Sequence, residues 1–397
     1  MAAPVKYYSS AMNGAPSVTG QVGTLLNVLD ACLVNGFGQQ NATSLSVTSN
    51  EATLVLPSTP PFIVNGAIQI QGAVPSALND TWVVTSVVGN TVKFKTTGVS
   101  DGAASGTITA KVPGSGWDRP FSGTNVGVYR SSDVESVRHY LRVDDSVGMY
   151  ANVRGFETMS DATNGTFPYP AVGSAATGGR WAKSGTADAT TRPWIIVATS
   201  KSFYYYVASS LATHGFCMFF GDIIPYRTAD QYRSCLNSFP PTANPSLMNS
   251  IMWSCMGAGN LSVPSSSNTD ITFSRNTWGA GAAPVCSKTS ALQTADGYSG
   301  TATYNSRALP YPNPAEGGLH LAPIVIVNTG PYLRGEYPGA FHSGQVAAGN
   351  FTTGDIIPGT GKLAGKTLLV VRAGPPALTY SAANTGMVVF DLTGPWY

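Results

Sequence analysis

Charge is what this sequence lacks most. Asp, Glu, Lys and Arg make up 11% of its 397 residues, against about 25% in an ordinary soluble domain. The formal net charge is only +2, and no run of Lys and Arg is concentrated anywhere along the chain. That argues against electrostatic binding to nucleic acid, which needs clustered cations. Cysteine is also scarce and unpaired in pattern. The five residues Cys32, Cys217, Cys235, Cys255 and Cys286 are odd in number and form no Cys-x-x-Cys. Neither a disulfide framework nor a cysteine metal site is expected, and buried thiols made in a reducing cytoplasm are the simplest reading. Long apolar runs are missing too. The most apolar region, 193–225, is interrupted by Lys201, His214 and clusters of Ser and Thr, so no membrane span is expected. The first residues have no basic start followed by an apolar stretch, and so do not read as a signal peptide.

Glycine and proline are abundant instead, at 44 and 27 residues. With much Ser, Thr and Asn, they predict many turns and a mainly β chain of two or three domains. A surface with so little charge has weak self-repulsion, which favours a protein whose surface is covered by neighbours in an assembly.

One stretch departs from the β pattern. Val22, Leu25, Leu26, Leu29, Cys32 and Leu33 recur with helical spacing and would share one face of an amphipathic helix. Thr19 is the expected N-cap, and Gly36 the residue that ends the helix in a left-handed turn. A lone helix of this kind must cover a sheet or a neighbouring subunit. Residues 1–43 are therefore read as an arm and helix belonging to the main domain.

Residues 44–113 read as a small β domain inserted into that main domain. Strands are expected at 44–48, 52–56, 67–71, 81–88, 91–96 and 106–112. Gly89-Asn90 marks a tight hairpin turn, and Val92 and Phe94 alternate with Lys93 and Lys95 as in a half-buried strand. The main β-rich domain, 114–397, resumes with a sandwich- or barrel-like pattern. It contains a strand ending at Asp144-Asp145, another from Tyr150, and a continuous apolar hairpin from Pro193. A central strand follows from His214, and terminal strands at 319–327, 366–373 and 386–392. Residues 237–303 read as irregular, with isolated anchors such as Trp253 and Trp278.

Candidate chemistry is thin. Gly359-Thr-Gly-Lys-Leu-Ala-Gly-Lys-Thr imitates a phosphate-binding loop, but Thr360 stands where the first Gly belongs and a strand follows. Asp144 and Asp145 are adjacent on a strand, so their carboxylates diverge. His139, His214, His320 and His342 are far apart in sequence, without metal-ligand spacing. The carboxylates Glu157, Asp222 and Glu336 would serve a hydrolase only if the fold gathered them. No catalytic, cofactor-binding or metal-ligating residue is therefore assigned, and the chain is not expected to be an enzyme or to need a cofactor. The aromatic groups Tyr204–Tyr206, Tyr311, Tyr332, Tyr337, Trp396 and Tyr397 are suited to interfaces, with protein contacts favoured over stacking on sugars.

Several phrases carry a resemblance. Ser10-Ala-Met-Asn-Gly-Ala-Pro and Leu29-Asp-Ala-Cys-Leu-Val-Asn-Gly-Phe-Gly resemble the start of a family of tailed-bacteriophage virion structural, tail-associated proteins. Leu141-Arg-Val-Asp-Asp, Arg154-Gly-Phe-Glu-Thr-Met-Ser-Asp, Thr191-Arg-Pro-Trp and Phe219-Phe-Gly-Asp resemble its middle. Leu309-Pro-Tyr-Pro-Asn-Pro-Ala-Glu-Gly-Gly-Leu, Tyr332-Leu-Arg-Gly-Glu-Tyr-Pro-Gly and Asp391-Leu-Thr-Gly-Pro-Trp resemble its end. The resemblance implies a virion component made in the host bacterial cytoplasm and placed in the tail, its junctions or the baseplate. It would assemble with copies of itself in a symmetric ring and with other virion proteins. The alternatives are a tail module that recognises host-surface glycan, a capsid decoration protein, and, behind these, a virion glycan-degrading enzyme.

Overall fold

The computed structural model describes residues 4–173, 175–210, 214–239, 272–275, 282–288, 310–328, 332–343, 345, 347–373 and 386–397. Trp253, Trp278 and Cys255 lie outside them. The fold is mainly β, with a single short α-helix and three sizeable sheets among the described residues.

The helix is shorter than its periodicity predicts. Only Thr24–Leu29 is α-helical, and Asp30–Asn35 continues as a π-helix. Thr19 does not cap it. Its hydroxyl accepts from the Gln21 amide instead, and the helix starts after Gly23, whose φ is +78°. Val22 therefore falls outside the helix and is exposed. Gly36 does end the segment, with φ +72°. Its amide donates to the Ala31 carbonyl five residues back, the π pattern. A side chain at Gly36 would also meet the Val112 carbonyl at 2.2 Å. Leu25, Leu26, Val28, Leu29, Ala31, Cys32 and Leu33 are all buried. Enclosure on most sides, rather than one apolar stripe, holds this short helix in place.

The first sheet has eight strands, in the order Phe37–Asn41, Thr109–Val112, Ala67–Gln71, Thr81–Val88, Thr91–Lys95, Glu51–Val55, Ser44–Thr48 and Gly102–Ala103. It starts at Phe37 rather than at 44. That strand is polar because it is a half-exposed edge, which hides it from pattern reading. The Gly89-Asn90 hairpin forms as expected, with Val88 opposite Thr91 and Val92 and Phe94 fully buried. Thr81–Val88 pairs with Ala67–Gln71 through its first half and with Thr91–Lys95 through its second, so the sheet turns a corner at that strand.

A five-stranded antiparallel sheet follows, in the order Trp117–Gly123, Val126–Ser131, Tyr140–Asp144, Tyr150–Phe156 and Gly179–Ala182. Its inner face carries Tyr129, Leu141, Val143, Ala151, Val153 and Trp181, all in the main core. Facing it is part of a thirteen-stranded sheet. In that sheet Trp194–Ala198, Ser202–Val207 and Phe216–Asp222 are buried along their whole length. Trp117 and Trp181 both meet Phe203 edge to face, at 5.2 and 5.7 Å between ring centres. These contacts join the two sheets as a sandwich.

The large sheet begins at Lys6–Ser9, an edge strand paired with Trp194–Ala198. It runs on through Ser234–Asn237, Thr272–Arg275, Ala282–Lys288, Leu321–Asn328, Tyr332–Ser343, Gly386–Asp391, Thr367–Ala373 and Ile356–Pro358. The region 237–303, expected to be irregular, thus contributes two central strands. A second, smaller core of Ala347, Leu368, Val370, Met387 and Val389 lies within its last strands. No described helix is long and apolar enough to cross a membrane.

Candidate functional site

The acidic pair at the end of Tyr140–Asp144 splits as adjacency requires. Asp144 turns outward, where it accepts from the Arg142 guanidinium at 3.2 Å and from Ser146. Asp145 turns inward and is fully buried. One of its carboxylate oxygens accepts from the Leu25 amide at 2.8 Å and the Leu26 amide at 3.4 Å. The other is bound by the Lys183 ammonium, which also donates to the Gln21 carbonyl at 2.7 Å. Both side chains of this ion pair are 0% exposed. Asp145 therefore caps the helix from 120 residues away, the task that sequence gave to Thr19. Burial pushes the Asp145 carboxyl up and the Lys183 amine down, and each partner opposes the other's shift. The arrangement ties the N-terminal helix to the five-stranded sheet. Sequence flagged Asp145 and offered no signal for Lys183.

A second polar group forms where 133–139, Asp222, Arg233 and Tyr397 meet. The Asp222 carboxylate accepts from Ser136 Oγ at 3.2 Å and the Val137 amide at 3.1 Å, and pairs with Arg233 at 3.3 Å. Burial raises its pKa to about 6, with Arg233 opposing. The Tyr397 hydroxyl donates to the Asp222 carbonyl at 2.6 Å, and the Lys201 ammonium lies 5.3 Å from its ring centre. Close by, His139 Nδ1 is 3.1 Å from the Tyr169 hydroxyl, which lies 3.2 Å from Ser234 Oγ. Burial, then the cations Arg275, Arg233 and Arg334, lower the His139 pKa to about 4. His139, Tyr169 and Ser234 are all buried, so the chain His139–Tyr169–Ser234 is an internal tie and not a relay open to substrate.

The other carboxylates do not converge into a catalytic pair. Glu157 is held by Arg275. Glu336 accepts from the Tyr226 hydroxyl at 2.6 Å. Asp230, which sequence did not single out, forms a buried pair with Arg334 at 2.9 Å. Among the histidines, His320 pairs with Glu316 at 2.8 Å at the surface. His342 is buried, and burial lowers its pKa to about 4; His214 is buried as well. No three His, Cys, Asp or Glu side chains are grouped for a metal among the described residues. Cys32, Cys217 and Cys235 are buried and in no disulfide, and burial holds Cys32 and Cys235 as thiols by pushing their pKa upward. The imitation phosphate loop is a single 3-10 turn, Gly361–Leu363, before the Thr367–Ala373 strand.

The aromatic expectation needs correction. Tyr204, Tyr205 and Tyr206 are core residues of the large sheet, not interface residues. Their hydroxyls are used inside the fold, donating to the Pro338 carbonyl at 2.8 Å and the Ala182 carbonyl at 3.2 Å and meeting Thr353 Oγ1 at 3.3 Å. Tyr337 and Trp396 are buried as well, Tyr311 is half-buried, and Tyr397 is exposed. A run of three tyrosines in a strand buried on both faces looks the same in sequence as an exposed aromatic loop. The Pro193-to-Val207 continuity was the signal that could have separated the two.

Comparison with protein-family models and with curated proteins finds no match for this chain.

Proposed function

We propose that the chain is a structural component of a tailed-bacteriophage virion, placed in the tail or its junctions and acting through subunit–subunit assembly. The phrases spread from Ser10 to Trp396 support the family. The observation that carries the reading is how the polar groups are used. The carboxylates Asp145, Asp222, Glu157 and Glu336, together with His139, are occupied by backbone amides, cations and tyrosines of the same chain, which fix loops and sheets to one another. That is the use of charge expected of a part whose work is to hold a shape.

The charge-poor surface fits the same role, since neighbouring copies would meet little mutual repulsion. Reconstruction of the intact particle by electron cryo-microscopy tests the proposal. Density for this chain in a closed ring at the tail is the expected result. Density on the capsid shell would make it a decoration protein, and absence from the particle would overturn the reading.

A further inference from the structure

Among the lysine–carboxylate pairs of the described residues, only Asp145–Lys183 has no exposed side-chain surface on either partner. Both residues are fixed at the backbone as well. The Asp145 amide donates to the Asn125 carbonyl at 2.8 Å, and the Asp145 carbonyl accepts from the Gly23 amide at 3.0 Å. The Lys183 amide donates to the Met149 carbonyl at 3.0 Å. Asp145 lies just past the Tyr140–Asp144 strand, and Lys183 just past Gly179–Ala182, the edge strand of the same sheet. The amine and the carboxyl therefore meet with little freedom left to lose. Holding two reacting groups in this way lowers the barrier to a bond between them.

The surroundings suit the formation of an amide. Asp145 Oδ1 is the oxygen that Lys183 Nζ touches. Oδ2 faces the Leu25 and Leu26 amides, two donors aimed at the oxygen on which charge would develop during attack at Cγ. The Gln21 carbonyl, 2.7 Å from Nζ, orients one N–H of the amine. Burial works in the same direction, since it favours the neutral acid and the neutral amine, which are the reactive forms.

We propose that Lys183 and Asp145 condense to an intramolecular amide, a covalent cross-link between the ends of two strands of the five-stranded sheet. The ion pair is the reactant state. One proton passes from Nζ to Oδ1 across their contact. The neutral Nζ then attacks Cγ, and the Nζ–Cγ bond forms while Oδ2 takes the negative charge. A second proton passes from Nζ to Oδ1, the Cγ–Oδ1 bond breaks, and one water leaves. The step consumes no other reactant. Its product keeps the partners already in place: Oδ2, now an amide oxygen, accepts from Leu25 and Leu26, and the remaining N–H faces the Gln21 carbonyl. Two buried charges give way to one neutral, hydrogen-bonded group, which an interior that penalises charge favours. The inference does not depend on the virion placement.

The test is mass spectrometry of the intact full chain, denatured after incubation at neutral pH. The expected mass is lower than that of the sequence by one water, once any removal of Met1 is counted. Digestion with trypsin should give a branched peptide in which 143–154 is joined to 181–201, because acylated Lys183 is no longer cut and Arg192 precedes a proline. Lys183→Arg keeps the cation but replaces the amine with a delocalised guanidinium, and should show the full mass, as should Lys183→Met. Where these variants fail to fold, the peptide map of the parent chain decides alone. A parent chain of full mass would overturn the proposal and leave the ion pair as the whole tie. Loss of water without the branched peptide would place the dehydration elsewhere, as at Asp101-Gly102, and overturn it too.

Discussion

Lys183→Met is the sharpest perturbation of the fold. It removes the ammonium and keeps the length of the side chain in a site that is 0% exposed. The Asp145 carboxylate would then face the interior with only the Leu25 and Leu26 amides as partners. Breaking a buried ion pair from one side costs about 3–5 kcal/mol, because the remaining charge stays desolvated. With urea m-values of about 3 kcal/mol/M for a chain that exposes much surface on unfolding, the midpoint should fall by roughly 1–1.7 M. The slope should stay unchanged if the native state keeps its compactness. Asp145→Asn in the same chain tests the cause. The amide oxygen still accepts from the helix amides while the stranded charge disappears, so the double variant should be more stable than Lys183→Met alone. Equilibrium unfolding of the four proteins, followed by tryptophan fluorescence, gives the coupling between the two residues. A Lys183→Met midpoint equal to that of the parent would refute the reasoning, and so would simple additivity of the two changes.

Other expectations follow from the same packing and electrostatics. His139 and His342 are buried with pKa values lowered to about 4, so each contributes stability that is complete above pH 6.5 and is lost as pH falls through 4, about 3 kcal/mol apiece. Asp222 runs the other way. Its pKa is raised to about 6, so its contribution, again about 3 kcal/mol, is complete below pH 3.8 and is lost as pH rises through 6. The net expectation is a chain less stable at pH 4 than at pH 7, with Asp222→Asn steepening the acid loss and His139→Gln flattening it; urea midpoints across that range check both. Gly339→Ala should be severely destabilising, since φ there is +63° and a Cβ would sit 2.1 Å from the Trp396 indole nitrogen. Gly89→Ala, with φ +57° and open space around it, should cost only about 1 kcal/mol, and thermal unfolding distinguishes the two. Leu29→Asp places a charge at a fully buried helix position and should prevent folding or assembly, seen as loss of soluble protein in size-exclusion chromatography.

Where local pattern and final environment agreed, sequence was sufficient. The Gly89-Asn90 turn, the alternation through Val92 and Phe94, and the strands Ser44–Thr48 and Ala67–Gln71 each depend on residues within a few positions of one another. Continuous apolar runs such as Phe216–Asp222 were legible as central strands because burial on both faces removes alternation. Polar edges were not legible. Phe37–Asn41 pairs with Thr109–Val112, about seventy residues away, and little in its own composition announces a strand. Tyr332–Ser343, interrupted by Gly335, Pro338 and Gly339, is held in the large sheet by the partners on either side.

The polar ties show why site reading from sequence stops early in this chain. Asp145 caps a helix 120 positions before it and pairs with a lysine 38 positions after it. Asp230 and Arg334 are 104 positions apart and form one buried pair. With so few charges, a large share of them are fold ties of this long-range kind, and each tie removes a group from the list of candidates for chemistry. Arg142 is spent in the same way: it faces Arg154 across the sheet and pairs with Asp144 at 3.2 Å. Arg154→Gln removes the like charge opposite Arg142 and should leave the urea midpoint unchanged or slightly higher. A clear loss of stability would instead make the Arg154 bonds to the Ala175 and Ala176 carbonyls the stronger effect.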